Sequence, residues 1–96
     1  MKIPEKMLKN FCRINHISKL SFFGSSVTNP ETAVDIDILV EFDEGSKPGL
    51  LDMARLEREL SEIFKKKVDL RTPEELSRLF REEVIKEAKV EYSAKG

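Results

Sequence analysis

Sulfur and imidazole chemistry are almost absent from this chain. Its one cysteine, Cys12, excludes an intrachain disulfide and a cysteine-built metal site. It reads as a small buried hydrophobe in a chain suited to a reducing, cytoplasmic interior. The one histidine, His16, has no second imidazole with which to complete a metal site and reads as a turn residue. An excess of either charge is also missing. Seventeen basic and 18 acidic residues leave a net charge of −1, with no basic field to hold a long nucleic acid by its phosphates. No run approaches the ~18 apolar residues of a membrane span. The N-terminus, MKIPEKMLKNF, lacks the apolar core of a signal peptide.

What remains is a composition made for a compact fold. Hydrophobic residues make up 40% and charged residues 36% of 96 residues, which predicts one small domain over 1–96 with a dense core and a charged surface. Pro4 opens a helical pattern with Ile3, Met7, Phe11 and Ile14 on one face. ISKLSFF, Ile17 to Phe23, reads as a strand stopped by Gly24. A polar loop containing Asn29-Pro30 leads to a second strand from about Ala33 to Phe42. DEGSKPG then breaks the chain before a long amphipathic helix carrying Met53, Leu56, Leu60, Ile63 and Phe64. Lys65, Lys66 and Lys67 gather where that helix stops, and Val68-Asp69-Leu70 reads as a third strand. Thr72-Pro73-Glu74-Glu75 has the form of a capping box. It predicts a last helix with Leu76, Leu79, Phe80, Val84 and Ala88 turned inward. KVEYS, Lys89 to Ser93, is either a final short strand or a tail. The expectation is a mixed α/β (α+β) fold, a small sheet of three or four strands with helices mainly on one face. The short loop makes strands one and two antiparallel, and the long helix lets strand three run parallel to strand two.

Two aspartates interrupt the second strand. In DIDILVEF, Asp35 and Asp37 share a face while Ile36 and Ile38 point the other way. Paired carboxylates on a half-buried sheet repel each other and resist burial. A hard cation such as Mg²⁺ relieves both problems, and nucleotide phosphates complete its shell. Asp69, flanked by Val68 and Leu70, reaches the same cluster if strands two and three are neighbours. Three carboxylates on adjacent strands suit two-metal phosphoryl or nucleotidyl transfer. Gly24 and Ser25, at the end of strand one, form a candidate phosphate cradle at the same end of the sheet. Glu41 shares the aspartates' parity but reads as a solvated strand edge, and Tyr92 as a partner contact or a tail aromatic.

Together, Gly24-Ser25, nine intervening residues, DIDILVEF and the later KKKVDLRTPEEL resemble the signature of the polymerase β-like nucleotidyltransferase superfamily. The likeness runs from about Ile17 to Tyr92 and is greatest to the minimal nucleotidyltransferases. The resemblance implies an MntA-type antitoxin that uses Mg²⁺ and ATP to transfer AMP to a tyrosine hydroxyl of a HEPN-domain ribonuclease toxin. It implies that Gly24 and Ser25 hold the triphosphate, that Asp35 and Asp37 bind both metals, and that Asp69 binds the catalytic metal and helps activate the acceptor hydroxyl. One departure stands out. Family members often carry arginine just after Gly-Ser, whereas here no lysine or arginine occurs between Lys19 and Lys47. Lys65 to Lys67 are candidate substitutes. Two other functions fit the same residues: an antitoxin that neutralises its partner by contact alone, and the catalytic half of a small-molecule transferase.

Overall fold

A computed structural model describes residues 4–24, 27, 32 and 34–94. Its elements are α1 (Glu5–Ile14), β1 (Ile17–Phe23), β2 (Asp35–Phe42), α2 (Leu50–Phe64), β3 (Lys67–Arg71), a 3-10 turn (Pro73–Glu75), α3 (Arg81–Glu87) and β4 (Lys89–Ser93). The four strands form one sheet in the order β3-β2-β1-β4. β1 pairs antiparallel with both β2 and β4, and β2 pairs parallel with β3. The strand directions are those the connection lengths predict, and KVEYS is a strand rather than a tail. Tyr92 lies opposite Leu20 and packs against the core.

Alternation builds the core. Leu20 and Phe22 of β1, Ile36, Ile38 and Val40 of β2, and Val68 and Leu70 of β3 are buried together. Leu56, Leu60 and Phe64 of α2 cover them at helical spacing, with Met53 and Ile63 at the margin, as the amphipathic pattern requires. The Phe64 ring meets Phe22 edge-on, with centroids 5.6 Å apart. Asp52 at the N-terminus of α2 accepts from the Gly49 N–H (3.4 Å), and Lys65 ends the helix in a left-handed turn at φ +56°. His16 is indeed a turn residue, at φ +58° between α1 and β1.

Two helices differ from expectation. α1 buries Leu8, Phe11 and Cys12, while Met7 and Ile14 are 56% and 75% exposed; Ile3 lies outside the described residues. Both sets have helical spacing and share Phe11. The set one residue further along is the one that meets the sheet. Burial pushes the Cys12 thiol up to about 12, as suits an inert core residue. After β3 the predicted long helix is instead a single 3-10 turn, an irregular stretch and the short α3, with no buried residue in either helical piece. The Thr72 hydroxyl meets the Glu75 side chain (3.2 Å), so no capping box forms. Leu76 turns extended, and the Arg81 guanidinium takes the Glu74 and Leu76 carbonyls, both at 3.2 Å. A side chain thereby satisfies backbone groups that a continuing helix would have used. Leu79 and Phe80 remain exposed rather than facing inward.

Candidate active site

β1 ends at Gly24, whose φ of +64° lies in the left-handed region that side chains resist. In the antiparallel register Phe23 faces Asp37, so the turn after β1 stands beside the first residues of β2. The approach is close. A Cβ on Gly24 would lie 2.8 Å from Asp37 Oδ2. Glycine suits this position by its backbone conformation, and a side chain here would have to displace the end of the Asp37 carboxylate. The Val27 N–H donates to the Gly24 carbonyl (3.2 Å) and closes the turn. Ser25, the second member of the expected cradle, lies outside the described residues.

Asp35 and Asp37 open β2. Each is half-buried, and each alternates with a fully buried isoleucine, so both carboxylates turn away from the helices. β3 runs alongside with Lys67 opposite Asp35, Asp69 opposite Asp37 and Arg71 opposite Leu39. Val68 and Leu70 point into the core. Lys67, Asp69 and Arg71 consequently share the face of the aspartates. Asp37 is the centre, with Gly24 on one side and Asp69 on the other. Burial first, then the charges of Asp69 and Asp35, push its carboxyl above the usual carboxylate range, while Arg71 pulls it down.

Among the described residues, no three His, Cys, Asp or Glu side chains close into a finished metal cage. Asp37 and Asp69 stand opposite each other on neighbouring strands, which are typically about 4.8 Å apart, and Asp35 is two residues before Asp37 on the same face. Their chemistry still suits a hard divalent cation: the donors are all oxygen, and the crowding that favours a proton on Asp37 also favours a cation beside it.

Other sequence candidates fall elsewhere. Glu41 lies opposite Lys19 towards the far end of β2 and helps line a groove of about 710 Å³ between the β2–α2 loop and the 3-10 turn. His16 faces Asp43 (3.9 Å). Lys65 caps α2, and the Lys66 N–H donates to the Ser61 carbonyl at that helix end. Of the three lysines, only Lys67 stands on the carboxylate face. Arg71 was missed by reading the sequence, although the signal was there: residues two before and two after Asp69 in a strand must share its face.

A nucleotidyltransferase-domain family profile matches residues 4–92. The chain belongs to the nucleotidyltransferase family. A Methanocaldococcus jannaschii protein named as a protein adenylyltransferase, MJ0435, is 41% identical over 73 residues, covering 75% of this chain and 76% of the relative. A solved minimal nucleotidyltransferase is 31% identical, with a TM-score of 0.68 and coverage of 88% of this chain and 85% of the other. A tri-AMPylated Shewanella oneidensis HEPN toxin in complex with its MNT antitoxin contains a chain of the same fold, at 20% identity and a TM-score of 0.67, covering 95% of this chain and 71% of that one. Among nucleotidyltransferases, then, this chain has the minimal fold: one four-stranded mixed sheet with α1 and α2 packed on its core face.

Proposed function

We propose that this nucleotidyltransferase transfers AMP from ATP, with Mg²⁺, to a hydroxyl of a HEPN-type toxin, a tyrosine being the expected acceptor, and that the transfer silences the toxin. The observation that carries this reading is the pairing of Asp37 with Asp69 beside Gly24, three elements meeting at one carboxylate. Two further facts support it: the name carried by the 41%-identical relative, and the AMPylated toxin in complex with an antitoxin of this fold.

In this mechanism Gly24 and Ser25 present the turn after β1 to the triphosphate, with no side chain at position 24 to block its approach to Asp37. Asp35, Asp37 and Asp69 are the residues that would hold Mg²⁺. When bound, the ion would lower the pKa of the acceptor hydroxyl and offset charge on the phosphates. Asp69, opposite Asp37 on the next strand, is the carboxylate assigned in this reading to help activate the acceptor hydroxyl. The hydroxyl oxygen forms a bond to the α-phosphorus, the α–β bridging P–O bond breaks, and pyrophosphate leaves. In-line geometry comes from fixing both reactants on a rigid sheet, which is what positioning contributes to such transfers.

The test is intact-protein mass of a co-purified HEPN-type partner after incubation with this chain, Mg²⁺ and each nucleoside triphosphate. Addition of one or more AMP units, lost on Asp35→Asn/Asp37→Asn, is expected. A stable complex with no added mass from any triphosphate would overturn transfer and leave neutralisation by contact.

A further inference from the structure

A nucleotide triphosphate carries more negative charge than two divalent cations can neutralise when three carboxylates already share the site. Cations from the protein must supply the rest. The loop that leaves Gly24 supplies none, because no lysine or arginine occurs between Lys19 and Lys47. β3 supplies two. Lys67 lies opposite Asp35 and Arg71 lies opposite Leu39, flanking Asp69 on the carboxylate face. Both side chains are exposed, so neither is committed to the core. Arg71 Nη1 donates to the Leu70 carbonyl (3.0 Å), so one guanidinium nitrogen is tied to the β3 backbone. Its charge is also felt at Asp37, where it opposes the push of the two neighbouring aspartates.

We infer that Lys67 and Arg71 bind the phosphates of the incoming triphosphate and of the departing pyrophosphate, replacing a cation that the β1–β2 loop lacks. This assignment rests on the nucleotidyltransferase reading. Arginine suits such a place because its planar fork can meet two phosphate oxygens at once, and a lysine supplies a compact charge at the other end of the strand.

The experiment is equilibrium binding of a fluorescent ATP analogue, with Mg²⁺, to the full chain, and its displacement by inorganic pyrophosphate. Lys67→Ala and Arg71→Ala should each weaken both ligands roughly tenfold. Arg71→Lys keeps the charge but loses the planar fork, so its affinity should fall between wild type and Arg71→Ala. Ligand-free melting should not move, since both residues are exposed. Unchanged affinity in both alanine variants overturns the assignment alone. So does a loss found only together with a fall in ligand-free melting temperature, which would make the role structural. Failure of the wild-type chain to bind the analogue overturns the nucleotidyltransferase reading and this assignment with it.

Discussion

Gly24 and Asp37 lie so close that a Cβ on the glycine would stand 2.8 Å from Asp37 Oδ2. A methyl group on Gly24 would press on the end of a carboxylate that can swing, so the damage falls on geometry more than on folding. Gly24→Ala should cost roughly 1–2 kcal/mol in urea unfolding, from the left-handed backbone. The same change should lower AMP transfer by a far larger factor, since Asp37 is displaced from its place beside Asp69. Asp37 itself is held at a cost. Folding raises its affinity for a proton, so the protonated form favours folding, and that contribution is lost as pH rises through its folded-state pKa. Asp37→Asn should therefore melt above wild type at about pH 8, with the gap closing towards about pH 4, the ordinary range of an aspartate. The same variant should be inactive. A melting temperature below wild type at high pH would show that the carboxylate stabilises the fold, contrary to this account.

At the scale of elements, the two edges of the sheet are treated differently. β3 is an edge strand whose outward amides are taken by α2: the Val68 N–H donates to Ser61 Oγ (3.0 Å) and the Leu70 N–H to Glu57 Oε2 (2.8 Å). Ser61 Oγ in turn donates to the Glu57 carbonyl (2.8 Å). A helix thus stops β3 from recruiting another strand and at the same time locks the strand that carries Asp69. The double variant Glu57→Ala/Ser61→Ala should lose about 2–4 kcal/mol in urea unfolding and show association by light scattering, because two buried-side donors lose their partners. Leu60, at 0% exposure in the same helix, should cost about 2–5 kcal/mol when cut to alanine. The elements also show where pattern reading succeeds and where it fails. α2 was legible because Met53, Leu56, Leu60, Ile63 and Phe64 recur on one face, although Leu50 and Leu51 at its start are exposed. In α1, two overlapping faces sharing Phe11 compete, and only contact with the sheet selects Leu8 and Cys12 over Met7 and Ile14. The segment after Thr72 carries helix-start residues, yet Arg81 reaches back from five and seven positions ahead to take the carbonyls. Local signals cannot anticipate such a bond.

At the scale of the whole molecule, the sheet order joins chemistry to stability. The antiparallel β1–β2 pair delivers Gly24 to the carboxylates, and the parallel β2–β3 pair delivers Asp69, so the site forms only when all three strands are assembled. Nucleotide binding should accordingly be coupled to global folding. Mg²⁺ with a non-hydrolysable ATP analogue should raise the melting temperature of the wild-type chain, by mass action on the folded state. Asp35→Asn/Asp37→Asn should abolish the rise. An equal rise in the double variant would mean that nucleotide binds away from these carboxylates. Among the described residues no helix is long and apolar enough to cross a membrane, and none of these outcomes requires a lipid surface.

Some of this was determined by the amino-acid sequence alone. Strand alternation is strict, so Asp35 and Asp37 had to share a face whatever the fold, and Val68 and Leu70 fixed the side to which Asp69 points. The apolar face of α2 and the stop at Gly24 follow from local chemistry in the same way. Tertiary structure decided the rest. It made Asp37 and Asp69 partners by choosing a parallel register, brought Gly24 against Asp37, selected Lys67 from three adjacent lysines and set Arg71 on the same face. Each of those facts depends on which strands lie side by side and in what register. Hydrogen bonds between distant segments set that arrangement, and no local run of residues encodes it.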